Sequence, residues 1–161
     1  MGLFLRLSGA GVLLLAAFYI SREYSLYLDR RLREYEALCA LLSHERERGN
    51  CKGKSALADF VDECLEKSGI LSALREGKDL FASFSEGCGG LSLSKEAKGR
   101  ISEKLRDLRG KATADAHKML GEIEAALRSE LASESELAEK NRHIVRALLI
   151  GGALAVGVML V

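Results

Sequence analysis

The distribution of charge constrains this chain more than any other feature. Of its 161 residues, 24 are basic and 23 acidic, yet residues 2–20 carry one charge, Arg6, and residues 144–161 carry one, Arg146. As helices these two runs span about 28 and about 27 Å, close to the hydrocarbon thickness of a bilayer. Both are read as transmembrane helices. Between them lies a charged middle domain over residues 22–143, about 120 residues, enough for a modest core. Proline is absent from the chain, so the strongest helix breaker is missing everywhere.

The flanks of the two runs suggest a topology. A cleaved signal peptide is the main rival for residues 2–20, but it carries its positive charge before the apolar run. Here the charge follows, at Arg22, Arg30, Arg31 and Arg33, and no A-x-A cleavage site is evident. An uncleaved anchor is expected, with Arg6 reaching to the headgroups. The Met-Gly start does not complete a myristoylation signal, because position six is Arg6 rather than Ser or Thr. Lys140, Arg142, His143 and Arg146 gather at the start of the second run. Basic residues therefore flank both runs on the side of the middle domain, which the positive-inside rule assigns to the cytosol. Ala147, Gly151 and Ala155 recur every four residues. Such a stripe admits a second helix closely, although Gly and Ala are also ordinary membrane composition.

The middle reads as all-α. Leu28, Leu32, Tyr35, Cys39 and Leu42 share one face of a helix over 23–48, with Asp29, Arg30, Arg33, Glu34 and Glu36 on the other. No break separates this helix from the first apolar run. Residues 49–54 read as a loop, Ser55 as an N-cap, and Leu57, Phe60, Val61 and Cys64 as the face of a short helix stopped by Gly69. Residues 70–85 suggest two short helices separated at Gly77, and Gly87–Gly90 a flexible connector. Ser94 caps a helix over 95–109 with Ala97, Ile101, Leu105 and Leu108 on one face. Thr113 caps a last helix, with Asp115 in its first turn and Ala116, Leu120, Ile123, Leu127 and Leu131 as its stripe. That helix can run into the second apolar run. The stripes predict a helical bundle, since each apolar face must be buried against another helix. A coiled coil over 24–45 and 116–143 has too few regular heptads to be preferred.

No catalytic, cofactor-binding or metal-ligating residue is predicted. His44, His117 and His143 have no second His at helical spacing, and no G-x-S-x-G elbow occurs. Gly87–Gly90 lacks the Lys-Ser/Thr ending of a phosphate loop. The carboxylates lie among basic neighbours on helical faces and read as solvated. Neither apolar run holds an acidic residue, which argues against a proton relay. Cys39, Cys51, Cys64 and Cys88 form no CxxC pair and read as reduced structural thiols. Interspersed charge, 6% aromatics and no Trp argue against a nucleic-acid partner. No small-molecule substrate is indicated, and an enzyme is not expected.

The helix from Arg33 to Arg48, the stretch Gly69-Ile-Leu-Ser-Ala-Leu-Arg-Glu-Gly77 and the helix start Leu91-Ser-Leu-Ser-Lys-Glu96, set between two apolar ends, resemble the stage III sporulation protein AB family. The resemblance covers nearly the whole chain and rests on helix-face patterns, not on a catalytic signature. It implies a cytosolic helical domain similar to that of the platform proteins of type II secretion and type IV pilus systems. It also implies a place in the mother-cell membrane around the forespore, in a secretion-like channel complex. The implied partners are the AA-type ATPase, polytopic membrane subunits and ring-forming subunits, besides membrane lipid. The implied role is a non-enzymatic scaffold or adaptor. A generic two-span scaffold or sensor of the cell envelope is the alternative.

Overall fold

A computed structural model of the protein describes the backbone at residues 2–50, 60–109 and 113–160, and side chains at 9, 11–47, 60–109 and 115–159. Among the described residues 90% are helical and none is in a strand. The helices are α1 (Gly2–Asn50), α2 (Glu63–Ser68), α3 (Ile70–Arg75), α4 (Leu80–Gly87), α5 (Lys95–Leu108) and α6 (Thr113–Leu160), with a 3-10 turn at Cys88–Gly90. The chain divides into two compact units. One joins Met1–Asp29 with Ser133–Val161; the other is Arg30–Ala132.

The second unit is a bundle built around α1. Tyr35, Cys39 and Leu42 are buried as the periodicity predicts, and Ala37, Leu38 and Leu41 are buried beside them. A helix with one dry stripe lies on the surface of a core; one with two has neighbours on both sides. Leu38, Leu41 and Leu42 meet Ile70 of α3, Leu80 and Phe84 of α4, Ile101 and Leu105 of α5, and Leu127 of α6. The gap among these side chains is about 10 Å³, no more than one water position. The side chains around this gap are closely packed.

Caps set the short helices. The Asp62 carboxylate accepts from the backbone N–H of Cys64 (2.9 Å) and Leu65 (3.1 Å), so α2 starts at Glu63. This corrects the sequence reading of an earlier start. Val61 is 75% exposed and precedes the helix, while Leu65 fills the core. A carboxylate that satisfies two orphan amides fixes a helix start more firmly than apolar spacing does. The expected cap Ser55 and most of the expected 49–54 loop lie outside the described residues; α1 itself continues through Asn50. Gly69 ends α2 and Gly77 ends the α3 turn, at φ +89° and +87°, values that glycine reaches without a Cβ penalty. The Asp79 carboxylate accepts from Ala82 N–H at 2.7 Å and the Ser94 hydroxyl from Ala97 N–H at 3.1 Å. Guanidinium Nη1 and Nη2 of Arg75 reach the two Glu66 oxygens at 2.5 and 3.1 Å, tying α3 to α2.

The glycine run 87–90 is not a flexible connector. Gly87 belongs to α4, and residues 88–90 form the 3-10 turn. A Cβ on Gly87 would lie 2.8 Å from the Ile70 backbone nitrogen and 3.0 Å from the Ser68 carbonyl oxygen. A Cβ on Gly90 would lie 3.0 Å from the Ser68 Cα. The run lets α4 press onto the α2–α3 junction. Gly87→Ala is therefore expected to destabilise the bundle by about 1–3 kcal/mol through overpacking. Thermal unfolding of the two proteins side by side measures it.

The first unit pairs one end of α1 with one end of α6. Ala17, Ser21 and Leu28 are buried on α1, and Ala138, Ala153 and Gly157 on α6. Small side chains let the helix backbones approach. Asp29 and Arg142 form an ion pair between the helices. Phe18, Ser21, Arg22 and Ser25 face Arg146 and Ile150. Higher numbers on α1 thus meet lower numbers on α6, and the pair is antiparallel. Its packing continues past the apolar runs, through Leu28, Asp29, Ala138 and Arg142, into the charged part of the sequence.

Candidate functional site

The helix pair carries a surface unlike that of the bundle. Val12, Leu15, Phe18, Tyr19 and Ile20 of α1 are 53–72% exposed. Leu148, Leu154, Val158 and Met159 of α6 are 52–86% exposed. An apolar band of this kind needs a cover, either lipid or another protein. Among the described residues one helix stretch, Asp115–Met159, contains a window long and apolar enough to cross a membrane. The predicted N-terminal span 2–20 lies partly outside the described side chains, which run continuously only from Gly11.

Ala147, Gly151 and Ala155, the predicted close-packing stripe, are exposed on α6. The contact with α1 runs instead through Ala153 and Gly157, with Leu149 half-buried above them. The two stripes differ by two residues, about 200° around a helix. Both are rich in small residues, and the spacing of four alone does not choose between them.

Between the helices, at the edge of the apolar runs, lies a notch of about 320 Å³ lined by Phe18, Ser21, Arg22, Ser25, Arg146 and Ile150. Ser25 donates its hydroxyl proton to the Ser21 carbonyl at 3.0 Å, leaving the Ser25 oxygen able to accept. No carboxylate lines the notch. Among the described residues Arg22 and Arg146 have no ion-pair partner, whereas Arg142, one turn from Arg146, is paired with Asp29. The notch was not predicted. Its signal was present in the sequence, as one arginine at the inner edge of each apolar run.

Two carboxylates inside the bundle depart from the solvated role predicted for them. Glu34 is 1% exposed and accepts from the Ser92 backbone N–H at 2.5 Å and from Arg30 Nε at 3.1 Å. Arg30 also donates to the Gly90 carbonyl at 3.4 Å. Glu34 thereby holds the segment after the 3-10 turn against α1. Glu124 is 2% exposed and has Arg46 Nη1 at 2.8 Å and Arg128 Nη2 at 2.6 Å. These are ion pairs by distance, with neither nitrogen aligned for a hydrogen bond. The pairing explains why burial is tolerated, since a buried charge needs a partner. It joins α1 to α6 and is structural in kind.

The remaining reactive groups do not converge. His44 is half-buried against Phe60, ring centroids 5.5 Å apart. His117 is half-buried and His143 exposed. Among the described residues no three His, Cys, Asp or Glu side chains come together as a metal site would require. Cys39, Cys64 and Cys88 are free thiols, and Cys51 lies outside the described residues. Burial pushes the Cys39 thiol up from its ordinary value. Burial, with Asp62 next, does the same to Cys64. Thiols shifted upward are poor nucleophiles.

No protein-family model, curated protein or solved structure matches this chain.

Proposed function

We propose that this chain is a two-span membrane protein that acts without catalysis, as a scaffold or adaptor whose cytosolic bundle engages a soluble partner. One observation carries the reading. Helices α1 and α6 each run unbroken from an exposed apolar stretch into residues that form the bundle core. No proline interrupts either helix. A bundle built on two such helices is tethered at both ends, as an adaptor requires. A core helix of a soluble protein can be as long and apolar as the end of α6, but it is mostly buried. Outside the bundle, Val12, Leu15 and Phe18 of α1 and Leu148, Leu154 and Val158 of α6 face outward.

The resemblance to the stage III sporulation protein AB family supplies the context. In that reading the chain joins a channel complex in the mother-cell membrane around the forespore. It would link the AA-type ATPase to polytopic membrane subunits. Deletion of the gene is expected to block spore formation after engulfment begins, and site-specific crosslinkers on α5 are expected to capture the ATPase. Normal sporulation in the deletion strain would leave the alternative, a general envelope scaffold or sensor.

A further inference from the structure

We propose that the notch at Arg22 and Arg146 is a binding site for the phosphate of an anionic lipid headgroup, with Ser25 and Ser21 completing its polar floor. The inference deepens the two-span reading and rests on it.

Charge supplies the first argument. Two guanidinium groups line one notch in which no carboxylate is present, and neither has an ion-pair partner among the described residues. Phe18 and Ile150 form the apolar sides of the same notch. An anion between the two cationic side chains neutralises both. Arginine forks suit the paired oxygens of a phosphate in particular.

Depth supplies the second argument. Arg22 lies two residues after the end of the 2–20 run, and Arg146 lies just inside the start of the 144–161 run. In the antiparallel pair both fall at one level, where an apolar helix surface gives way to a charged one. That is the level of lipid phosphates beside a spanning helix. Arginines at this level reach for headgroups from a single helix in any case. Here two helices enclose a volume of about 320 Å³ between them, within the range of small-molecule sites. The ligand is thus a phosphodiester held from two sides. Its acyl chains would lie along the exposed faces of Phe18 and Leu148.

The opposite charge balance one turn away makes the site specific. Arg142 is already neutralised by Asp29 and is not available to an anion. A control variant can therefore remove equal charge elsewhere without touching the notch. Lys95 and Arg106, exposed on the bundle, serve for this.

The test uses the full-length protein in nanodiscs containing equal phosphatidylglycerol and phosphatidylcholine, followed by native mass spectrometry of the retained lipid. Preferential retention of phosphatidylglycerol is expected. In Arg22→Gln/Arg146→Gln it should fall by roughly tenfold or more. Arg22→Lys/Arg146→Lys should recover part of it, and Lys95→Gln/Arg106→Gln should leave it unchanged. Millimolar inorganic phosphate should not displace the lipid. Displacement by inorganic phosphate would overturn the lipid assignment in favour of a free phosphate. Equal retention in the notch variant and the control would overturn the site. A protein that does not enter nanodiscs at all would instead defeat the two-span reading, so the two failures are distinguishable.

Discussion

Phe84→Ala is expected to destabilise the bundle by about 3–5 kcal/mol, the usual loss for removing a fully buried phenyl ring. Phe84 is 2% exposed, and the gap beside it is already filled to within about 10 Å³ by side chains of α1, α3, α4, α5 and α6. A cavity there can collapse only if several helices move together, so little of the loss is recovered by relaxation. Cys39 gives a local readout. It is 6% exposed within the same core, and burial holds its thiol up, so alkylation in the folded state is slow. If the bundle opens more easily, alkylation of Cys39 should accelerate by roughly a hundredfold to several thousandfold. Mass spectrometry of the Cys39 peptide separates it from the more exposed Cys64 and Cys88. An unchanged rate would mean that Phe84 does not pack the core around Cys39.

Arg46→Ala/Arg128→Ala should match that loss for a different reason. The two arginines are themselves 35% and 64% exposed, and each alone is a modest contribution. Glu124 between them has a side chain only 2% exposed. Removing both cations strands a carboxylate in the core, a situation that costs about 3–5 kcal/mol. The single substitutions should each do much less, because the remaining arginine still neutralises the charge. Adding Glu124→Leu to the double variant should return most of the stability, since an apolar side chain of similar size needs no partner. Chemical denaturation of these four variants beside the unsubstituted protein measures the pattern. Additive losses with no rescue would show that the arginines act through packing alone.

Local pattern made the bundle helices legible. The stripes of α5 and α6, the caps at Ser94 and Gly69 and the break at Gly77 all follow from residue types within one or two turns. What was missed depended on distant partners. Glu34 lies four residues after Arg30, among basic neighbours, and reads as solvated from sequence alone. Its burial comes from the Ser92 amide, 58 residues away. Glu124 was more readable, because it lies four residues after Leu120 and three before Leu127, inside the apolar stripe. Its basic neighbour at position 128 disguised it. Glycine count alone does not distinguish a mobile run from a backbone pressed against its neighbours, so residues 87–90 read as flexible in the sequence. The notch between Arg22 and Arg146 needs the antiparallel register of two helix ends that are far apart in sequence.

We propose a helical bundle held in the cytosol by a membrane anchor at each end. Labelling of intact cells with a membrane-impermeant maleimide tests it most directly, in protein whose four native cysteines are replaced by alanine. A cysteine added at either end of the chain should react in intact cells. Lys95→Cys, on the exposed side of α5, should react only after the cells are opened. Reaction of Lys95→Cys in intact cells, or protection of either terminal cysteine, would contradict the account.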